Sequence, residues 1–275
     1  MMRLLGTFLA LAAGLTFAQA QPADREALWK EVAEAEKKGL PKTAAAKLQL
    51  IYDSALRDGR HAEAIKALAK RITHEGAVQG NKPEEKITRL QAELEKTPDE
   101  AKPLLQTILG HWYWQYFRAN RYRFLQRTAT AQPLGDDFTT WDLPRLYREI
   151  DLHFTNALAD GRLKTIPTTD FADLLTKPTL PEKYRPTLYD FIAHEALGFY
   201  TSGEFAAAKP EDAFEVRASD PLLGPLDKFL AWVPETTDTE SPQFKAVRLY
   251  QDVLRFHLDD ADSSALIDAD ILRLL

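Results

Sequence analysis

One segment of the chain begins like a metalloprotease motif. Residues 194–198 read His-Glu-Ala-Leu-Gly, which matches the first two positions of the His-Glu-x-x-His zinc motif. Gly198, however, stands where the second histidine must lie, one helical turn later, to share the metal. The other histidines are scattered singly along the sequence, with no spacing that gathers them on one helix face: His61, His74, His111, His153 and His257. No metal site is therefore predicted.

Adjacent carboxylates could in principle serve glycoside hydrolysis, which uses two carboxyl groups facing each other across a cleft. The pairs in this chain are Glu84-Glu85, Asp136-Asp137 and Asp259-Asp260. Neighbouring acids on helices usually cap the helix or face solvent instead. The sequence also contains neither a Gly-x-Ser-x-Gly nucleophile elbow nor a glycine-rich phosphate loop. We therefore predict no catalytic residue, no cofactor and no enzymatic activity.

Aromatic and basic side chains are concentrated in residues 110–128, GHWYWQYFRANRYRFLQRT. Five of the six residues 112–117 are aromatic, and four arginines follow them: Arg118, Arg121, Arg123 and Arg127. Aromatic faces beside arginine can stack on sugars or bases, but the same composition occurs inside helical cores.

Helical spacing distinguishes these two interpretations. Apolar residues separated alternately by three positions and by one form a single stripe: Leu105, Ile108, Leu109, Trp112, Tyr113, Tyr116 and Phe117. Trp114 points to the opposite side, with Gly110 one turn before it and Arg118 one turn after. We predict a core helix in which Gly110 admits a neighbouring backbone and Arg118 covers the indole. The alternative is a ligand or partner surface formed by Trp114, Arg118 and Arg121.

These residues must be positioned by helices, because apolar residues recur with helical period almost throughout the chain. Two such stripes, in residues 48–56 and 65–72, flank the turn Asp58-Gly59-Arg60, so the two helices must fold back on each other. Residues 46–68 resemble a tetratricopeptide (TPR) hairpin, although no strict repeat period recurs. The predicted fold is all-α, an irregular TPR-like array of antiparallel helical hairpins.

Capping signals predict where several helices begin. Thr97-Pro98-Asp99-Glu100 has the residue types of a capping box, and Asp142 is placed to cap the helix that follows it. Residues 203–240 are the least regular part of the chain. The last helix, from Ser263 or Ser264, runs apolar to Leu275 without a stop signal, so we expect a truncated chain. One further predicted helix covers about 24–38 and is ended by Gly39-Leu40-Pro41, where glycine suits a left-handed cap. The others cover about 83–96, 143–160, 184–202 and 242–258.

The first twenty residues, MMRLLGTFLALAAGLTFAQA, have the organisation of a signal peptide. Arg3 supplies the charge, residues 4–17 the apolar run, and Ala18-Gln19-Ala20 the cleavage site. The apolar run is shorter than the roughly 20 residues that cross a bilayer. Cleavage after Ala20 therefore predicts a chain exported to the periplasm or cell envelope, with no membrane span remaining.

Composition limits the classes of partner. The formal charge of −6 makes nucleic acid a poor candidate, and loss of Arg3 with the signal peptide makes the charge more negative by one. The chain has no cysteine, so an exported form must be stabilised by burial rather than by disulfides.

Three segments carry a family resemblance: residues 28–59, 109–128 and 137–154. They resemble the N-terminal helical region of the large exported bacterial alpha-2-macroglobulin-like proteins, over about residues 28–175 and more weakly beyond. In that family the helical region precedes macroglobulin β-sandwich domains, and a bait segment, often with a Cys-Gln thioester, captures proteases. Without cysteine, no thioester residue can be assigned here, and no bait residue is identified.

The resemblance implies a non-catalytic scaffold or docking domain at the N-terminus of a parent protein that inhibits or traps proteases. Its partners would be the macroglobulin domains of the parent chain, and proteases or envelope proteins. The alternative is a stand-alone envelope protein of superhelical form that binds or cleaves glycan. We expect a signal peptide in residues 1–20, TPR-like hairpins in 21–130, and a further helical region in 131–275 with an irregular insertion near 203–240.

Overall fold

The computed structural model describes residues 24–80, 82–126, 135–172, 174, 180–204 and 212–275. These residues form eleven α-helices and no β-strand, which confirms the predicted all-α class. The predicted signal peptide, residues 1–20, lies outside the described residues. The helices are α1 (Arg25–Lys37), α2 (Pro41–Arg57), α3 (His61–Val78), α4 (Pro83–Leu94), α5 (Lys102–Ala119), α6 (Arg121–Leu125), α7 (Leu143–Leu158), α8 (Leu188–Tyr200), α9 (Leu226–Ala231), α10 (Pro242–Phe256) and α11 (Ser264–Leu274).

The main helices pack in the order in which they occur in the chain. The most extensive contacts join α1 with α2, α2 with α3, and α5 with α7, and further contacts continue through α8, α10 and α11. One apolar core runs from Leu28 in α1 to Ala269 in α11. Of the helices in the described residues, none is both long and apolar enough to cross a membrane.

The described residues between α7 and α8 form a less regular segment, which contacts helices that are far apart in the sequence. Its 3-10 turn Gly161–Thr165 contacts α8, the turn Thr168–Phe171 contacts α3, and the turn Glu182–Tyr184 contacts α11. An isolated antiparallel bridge pairs Pro167 with Thr187 at the start of α8. The described part of 203–240 contains the short helix α9 and the 3-10 turn Pro221–Leu223.

Glycines end the first two helices as their sequence positions predict. Gly39 and Gly59 have φ of 66° and 67°, in the left-handed region that glycine adopts without a steric penalty. After each glycine the chain closes a bond back onto the helix: the N–H of Leu40 donates to the carbonyl of Ala35 at 2.9 Å, and that of Arg60 to Ala55 at 2.8 Å. These turns direct α2 onto α1 and α3 onto α2.

The two predicted helix caps have opposite outcomes. Asp142 does cap α7, because its carboxylate accepts from the N–H of Arg145 at 2.9 Å. The capping box predicted at Thr97 is wrong: α5 begins at Lys102, after Ala101, with no side-chain cap. The hydroxyl of Thr97 instead donates to the carbonyl of Glu93 at 2.8 Å, so it closes the end of the preceding helix. Residues 98–101 form a turn between α4 and α5.

Burial along α5 follows the predicted stripe with two exceptions, Ile108 and Trp112, which are only partly buried. Tyr113, Tyr116 and Phe117 are buried, as expected for a core helix. Trp112, predicted to lie in the same buried stripe, is only half-buried at the edge of the core. The expected close approach at Gly110 is made by the ring of Phe154 in α7 rather than by a backbone.

Gly110 and Gly198 form a matched pair for testing this approach. A β-carbon at Gly110 would lie 3.2 Å from Cε2 of Phe154, whose side chain is fully buried. We expect Gly110→Ala to lower the free energy of unfolding by about 1–2 kcal/mol, because overpacking outweighs the helical preference of alanine. Gly198 lies exposed in α8, where a β-carbon would meet nothing within 4 Å, so Gly198→Ala should stabilise the protein by about 0.4–1 kcal/mol. Urea unfolding measures both, and equal stabilisation by the two substitutions would show that the Phe154 ring moves aside.

Candidate functional site

Trp114, the residue singled out by the sequence, lies half-buried on α5 against α8. Its ring meets the ring of Phe199 edge-on, with centroids 5.5 Å apart, and stacks with the ring of His111 at 6.0 Å. Both neighbours are protein side chains, so part of the indole surface is covered from within the fold.

The polar edge of the indole is also occupied. Nε1 of Trp114 donates to the carboxylate of Glu204, whose side chain is largely buried just after α8. Nε of Arg118 lies 3.7 Å from the other oxygen of that carboxylate, and the guanidinium lies 5.8 Å from the centre of the Trp114 ring. The hydroxyl of Tyr147 holds the same turn by donating to the carbonyl of Glu204 at 2.9 Å. Glu204 therefore links α5 and α7 to the end of α8.

The three residues of the predicted surface do not act together. Trp114 and Arg118 are brought together, as the one-turn spacing indicated. Arg121 is the first residue of α6 and is exposed. Its positive charge lowers the pKa of Tyr147, although burial raises that pKa overall. Arg123 donates to the carbonyl of Thr139 at 2.9 Å, and Arg127 lies outside the described residues. Glu204 was missed, because it follows Trp114 by 90 residues and no local pattern connects them.

The two polar residues of the His-Glu-Ala-Leu-Gly segment point to different partners. Glu195 pairs with His111 of α5, while Nδ1 of His194 donates to the carbonyl of Asp190 at 2.7 Å. Burial, together with the charge of Arg185, lowers the pKa of His194 below its ordinary value, so this ring is neutral. No cluster of three metal-ligating side chains occurs within the described ranges.

A buried chain of carboxylate and imidazole groups joins α8 to the end of α10. Asp190 is fully buried and accepts at one oxygen from Nε2 of His257, at 2.7 Å. Nδ1 of His257 donates to Asp260 at 2.6 Å. The second oxygen of Asp190 accepts from the N–H and the hydroxyl of Thr187, at 2.9 and 2.7 Å, which completes a capping box at the start of α8.

The surroundings of His257 favour the charged form of its imidazole. Burial disfavours the charge, but the hydrogen bonds to Asp190 and Asp260 outweigh burial and raise the pKa of His257 above its ordinary value. A carboxylate–imidazole–carboxylate chain resembles the acid–base half of a catalytic triad. Here both ring nitrogens already donate to carboxylates, so the ring has no free nitrogen with which to activate a nucleophile. The arrangement is suited to joining two helices.

A second polar group lies between α5 and α7. The ring of His153 stacks on that of Tyr113, with centroids 5.5 Å apart, and its Nδ1 bonds to the amide oxygen of Gln106. Burial lowers the pKa of His153 to about 4 and raises that of Glu149, whose carboxylate lies 3.7 Å from Nε2. Burial therefore disfavours the charged form of each group.

A shallow groove of about 330 Å³ lies where α1 meets the start of α2. Three lysines and two glutamates line it, and both glutamates are paired: Glu31 with Lys47 at 2.5 Å and Glu34 with Lys38 at 3.7 Å. Charges of both signs neutralise one another there, so the groove offers no preference for an anion or a cation.

Substitution of Trp114 tests whether the indole serves the fold or a ligand. Because Trp114 is half-buried, we expect Trp114→Ala to lower the free energy of unfolding by about 1–3 kcal/mol, less than the ~3–5 of a fully buried aromatic. Urea unfolding gives this value, and a pull-down on peptidoglycan tests glycan binding beside it. A change within about ±0.5 kcal/mol, with glycan binding lost, would identify Trp114 as a platform for sugar instead.

Comparison with known proteins identified no protein similar to this chain. No protein-family model, no curated protein and no solved structure matches the chain.

Proposed function

We propose that the chain is a non-catalytic, TPR-like helical scaffold at the N-terminus of an exported alpha-2-macroglobulin-like protein. The observation that carries the proposal is the packing of each main helix on the next along the chain, from α1 to α11. Such rows of helices present long surfaces to other proteins. The polar pairs that could belong to a catalytic site instead join helices. His111 of α5 binds Glu195 of α8, and Asp190 of α8 binds His257 at the end of α10.

The contacts among α1, α2 and α3 support the TPR-like part of the proposal. Arg25 binds three groups at once: the hydroxyl of Ser54 at 3.0 Å, the carboxylate of Glu63 at 2.9 Å, and that of Asp58. The indole N–H of Trp29 donates to Glu63 at 2.8 Å. The first helix is thereby tied to both helices of the α2–α3 hairpin, as neighbouring hairpins are in a helical repeat array.

The parent function rests on the resemblance of residues 28–59, 109–128 and 137–154 to the macroglobulin-like family. On that basis the parent protein would inhibit or trap proteases at the cell envelope, and this domain would contact the macroglobulin domains of its own chain. Proteases and envelope proteins are further partners that a scaffold of this kind could hold.

The alternative, an envelope protein that binds or cleaves glycan, has one observation in its favour. Trp114 retains some exposed surface, and the exposed Arg118 lies against its ring. Stacking of a sugar on that surface would require the Arg118 side chain to swing away or to share the ring. The bond from Nε1 to Glu204 favours the scaffold instead.

The gene tests the proposal most directly. We expect the reading frame to continue past Leu275 into repeated β-sandwich sequence, and the exported protein to begin at Gln21 after cleavage of residues 1–20. A stop codon directly after Leu275 would count against the macroglobulin-like parent. An uncleaved N-terminus, found by sequencing the protein, would count against export.

A further inference from the structure

Two buried polar atoms face each other between α8 and α11 without a hydrogen bond. Nε2 of His194 lies 3.9 Å from Oδ2 of Asp268, which is beyond hydrogen-bonding distance. Both atoms are shielded from solvent, and neither has another hydrogen-bond partner among the described residues. Buried polar atoms in folded proteins are nearly always paired, so this gap between the two helices requires a physical explanation.

The second nitrogen of His194 determines which atom of the neutral ring carries the proton. Nδ1 lies 2.7 Å from the backbone carbonyl of Asp190, and a carbonyl oxygen can only accept, so the proton is on Nδ1. Nε2 of the neutral ring is then an acceptor, as is the carboxylate of Asp268. Two acceptors cannot bond to each other, so the gap can close only when Nε2 gains a proton.

Charges of both signs surround this pair. Burial and the positive charge of Arg185, which precedes α8, lower the pKa of His194, whereas Asp190 and Asp268 act in the opposite direction. Tyr250 of α10 lies near the same groups, since burial raises its pKa and the charges of Arg185 and Asp268 act on it as well. Of these groups, Asp268 both belongs to α11 and favours a charged imidazole.

Other charged and titratable groups where α8 packs against its neighbours are bound to different partners. α8 contacts α5, α7, α10 and the 3-10 turn Gly161–Thr165. The groups and their partners are His111 with Glu195, Asp151 with Tyr200 and Lys245, His257 with Asp190, and Lys164 over the Tyr189 ring. Asp268 therefore remains the described carboxylate that lies beside Nε2 of His194.

We propose that His194 and Asp268 form an acid-responsive contact, which closes when Nε2 takes a proton from the solvent and draws α11 towards α8. A charged imidazole donates from both nitrogens, so the bond from Nδ1 to Asp190 is kept while Nε2 becomes a donor to Asp268. A movement of about 1 Å shortens the gap to the ~2.7–2.9 Å of a charge-assisted hydrogen bond. The inference goes beyond the scaffold function and does not depend on the parent protein.

Titration of the His194 ring by nitrogen NMR tests the electrostatic part of the proposal. We expect an unprotonated Nε2 at neutral pH, and we expect Asp268→Asn to move the titration of His194 to lower pH, because it removes a charge that favours the imidazolium. Asp270→Asn is the matched control. It makes the same change of charge on the same helix, but Asp270 binds Arg273, so the titration of His194 should stay where it is.

Urea unfolding at two pH values tests whether the contact supports the fold in acid. Folding lowers the pKa of His194, so protonating its ring costs stability, and the charge of Asp268 reduces that cost. The stability lost through Asp268→Asn should therefore be larger at about pH 5 than at about pH 7.5, a range in which free aspartate stays ionised. In a His194→Gln background, the loss caused by Asp268→Asn should no longer depend on pH, because the titrating ring is gone.

Crystal structures at about pH 8 and about pH 5 measure the closure itself. We expect the distance between Nε2 of His194 and Oδ2 of Asp268 to fall from 3.9 Å to about 3 Å or less in acid. Three results would overturn the proposal: a His194 titration that Asp268→Asn does not move, a stability loss that does not vary with pH, or an unchanged distance. A water molecule that donates to both atoms at both pH values would also overturn it, since the gap would then be a permanent water site.

Discussion

Replacing Asp190 by alanine is expected to lower the free energy of unfolding by about 3–5 kcal/mol, the usual cost of removing one partner of a buried ion pair. Asp190 is fully buried and binds Nε2 of His257, whose pKa is raised, at 2.7 Å. Without its carboxylate, His257 keeps only the bond to Asp260, and α8 loses the cap made with Thr187. The measurement is urea unfolding of the variant beside the parent.

Asp260→Ala is the matched control, because it removes the other carboxylate of the same imidazole. The Asp260 side chain is 39% exposed, so water can replace it at Nδ1 of His257, and the loss of stability should be clearly smaller. Equal losses from the two substitutions would show that burial of Asp190 adds nothing. A loss below about 1 kcal/mol for Asp190→Ala would show that the chain of bonds is not a main support of the fold.

The stability that His257 contributes through its bonds to Asp190 and Asp260 should depend on pH. The pKa of His257 is raised in the folded protein, since its bonds to Asp190 and Asp260 outweigh burial. Its contribution to stability should therefore be complete below the unfolded pKa of about 6.5 and decrease as the pH rises through the folded pKa. The difference in unfolding free energy between the protein and His257→Gln measures this contribution. A difference that grows above pH 6.5 would contradict it.

The comparison with His257→Gln is needed because the pKa of another histidine, His153, is shifted in the opposite direction. Burial lowers the pKa of His153 to about 4, so its neutral form contributes stability that is complete above about pH 6.5 and is lost as the pH falls towards 4. In the whole protein the two effects act on opposite sides of about pH 6.5, so both contribute to the overall pH dependence of stability. The His257→Gln comparison removes the effect of His153, because both proteins retain it.

Local sequence patterns predicted those features of the fold that depend on neighbouring residues. Helical periodicity, the glycine turns at Gly39 and Gly59, and the Asp142 cap each involve residues within one or two helical turns. The contact between Trp114 and Arg118 also belongs to this class. The Thr97 capping box failed for a related reason: the same hydroxyl could bond forwards or backwards, and it bonds to Glu93 in the preceding helix.

Features that depend on tertiary packing could not be read from local patterns. The partner of the Trp114 indole, Glu204, follows it by 90 residues, and the partner of Asp190, His257, follows by 67. Trp112 has the spacing of a core residue, but its exposure depends on how far the neighbouring helices extend over α5. Periodicity gives the direction of a side chain, whereas burial also requires a neighbour at that height along the helix.

Phe117 and Trp112 allow that distinction to be measured on one helix. Phe117 is fully buried, with its ring centroid 5.2 Å from that of Tyr147 and 5.9 Å from that of Phe124. We expect Phe117→Ala to lower the free energy of unfolding by about 3–5 kcal/mol, because it removes a buried ring and leaves a cavity that the packed helices cannot close. Urea unfolding should show this as a lower midpoint with an unchanged slope.

Trp112→Ala deletes a larger side chain, yet it should cost about half as much, because water already reaches part of the indole and no enclosed cavity forms. The order of the two losses therefore depends on tertiary burial rather than on side-chain size. If Trp112→Ala proved the more destabilising of the two, the helices beside α5 would have to cover Trp112 more fully than this structure shows. Trp112 would then belong to the buried stripe, as its spacing predicts.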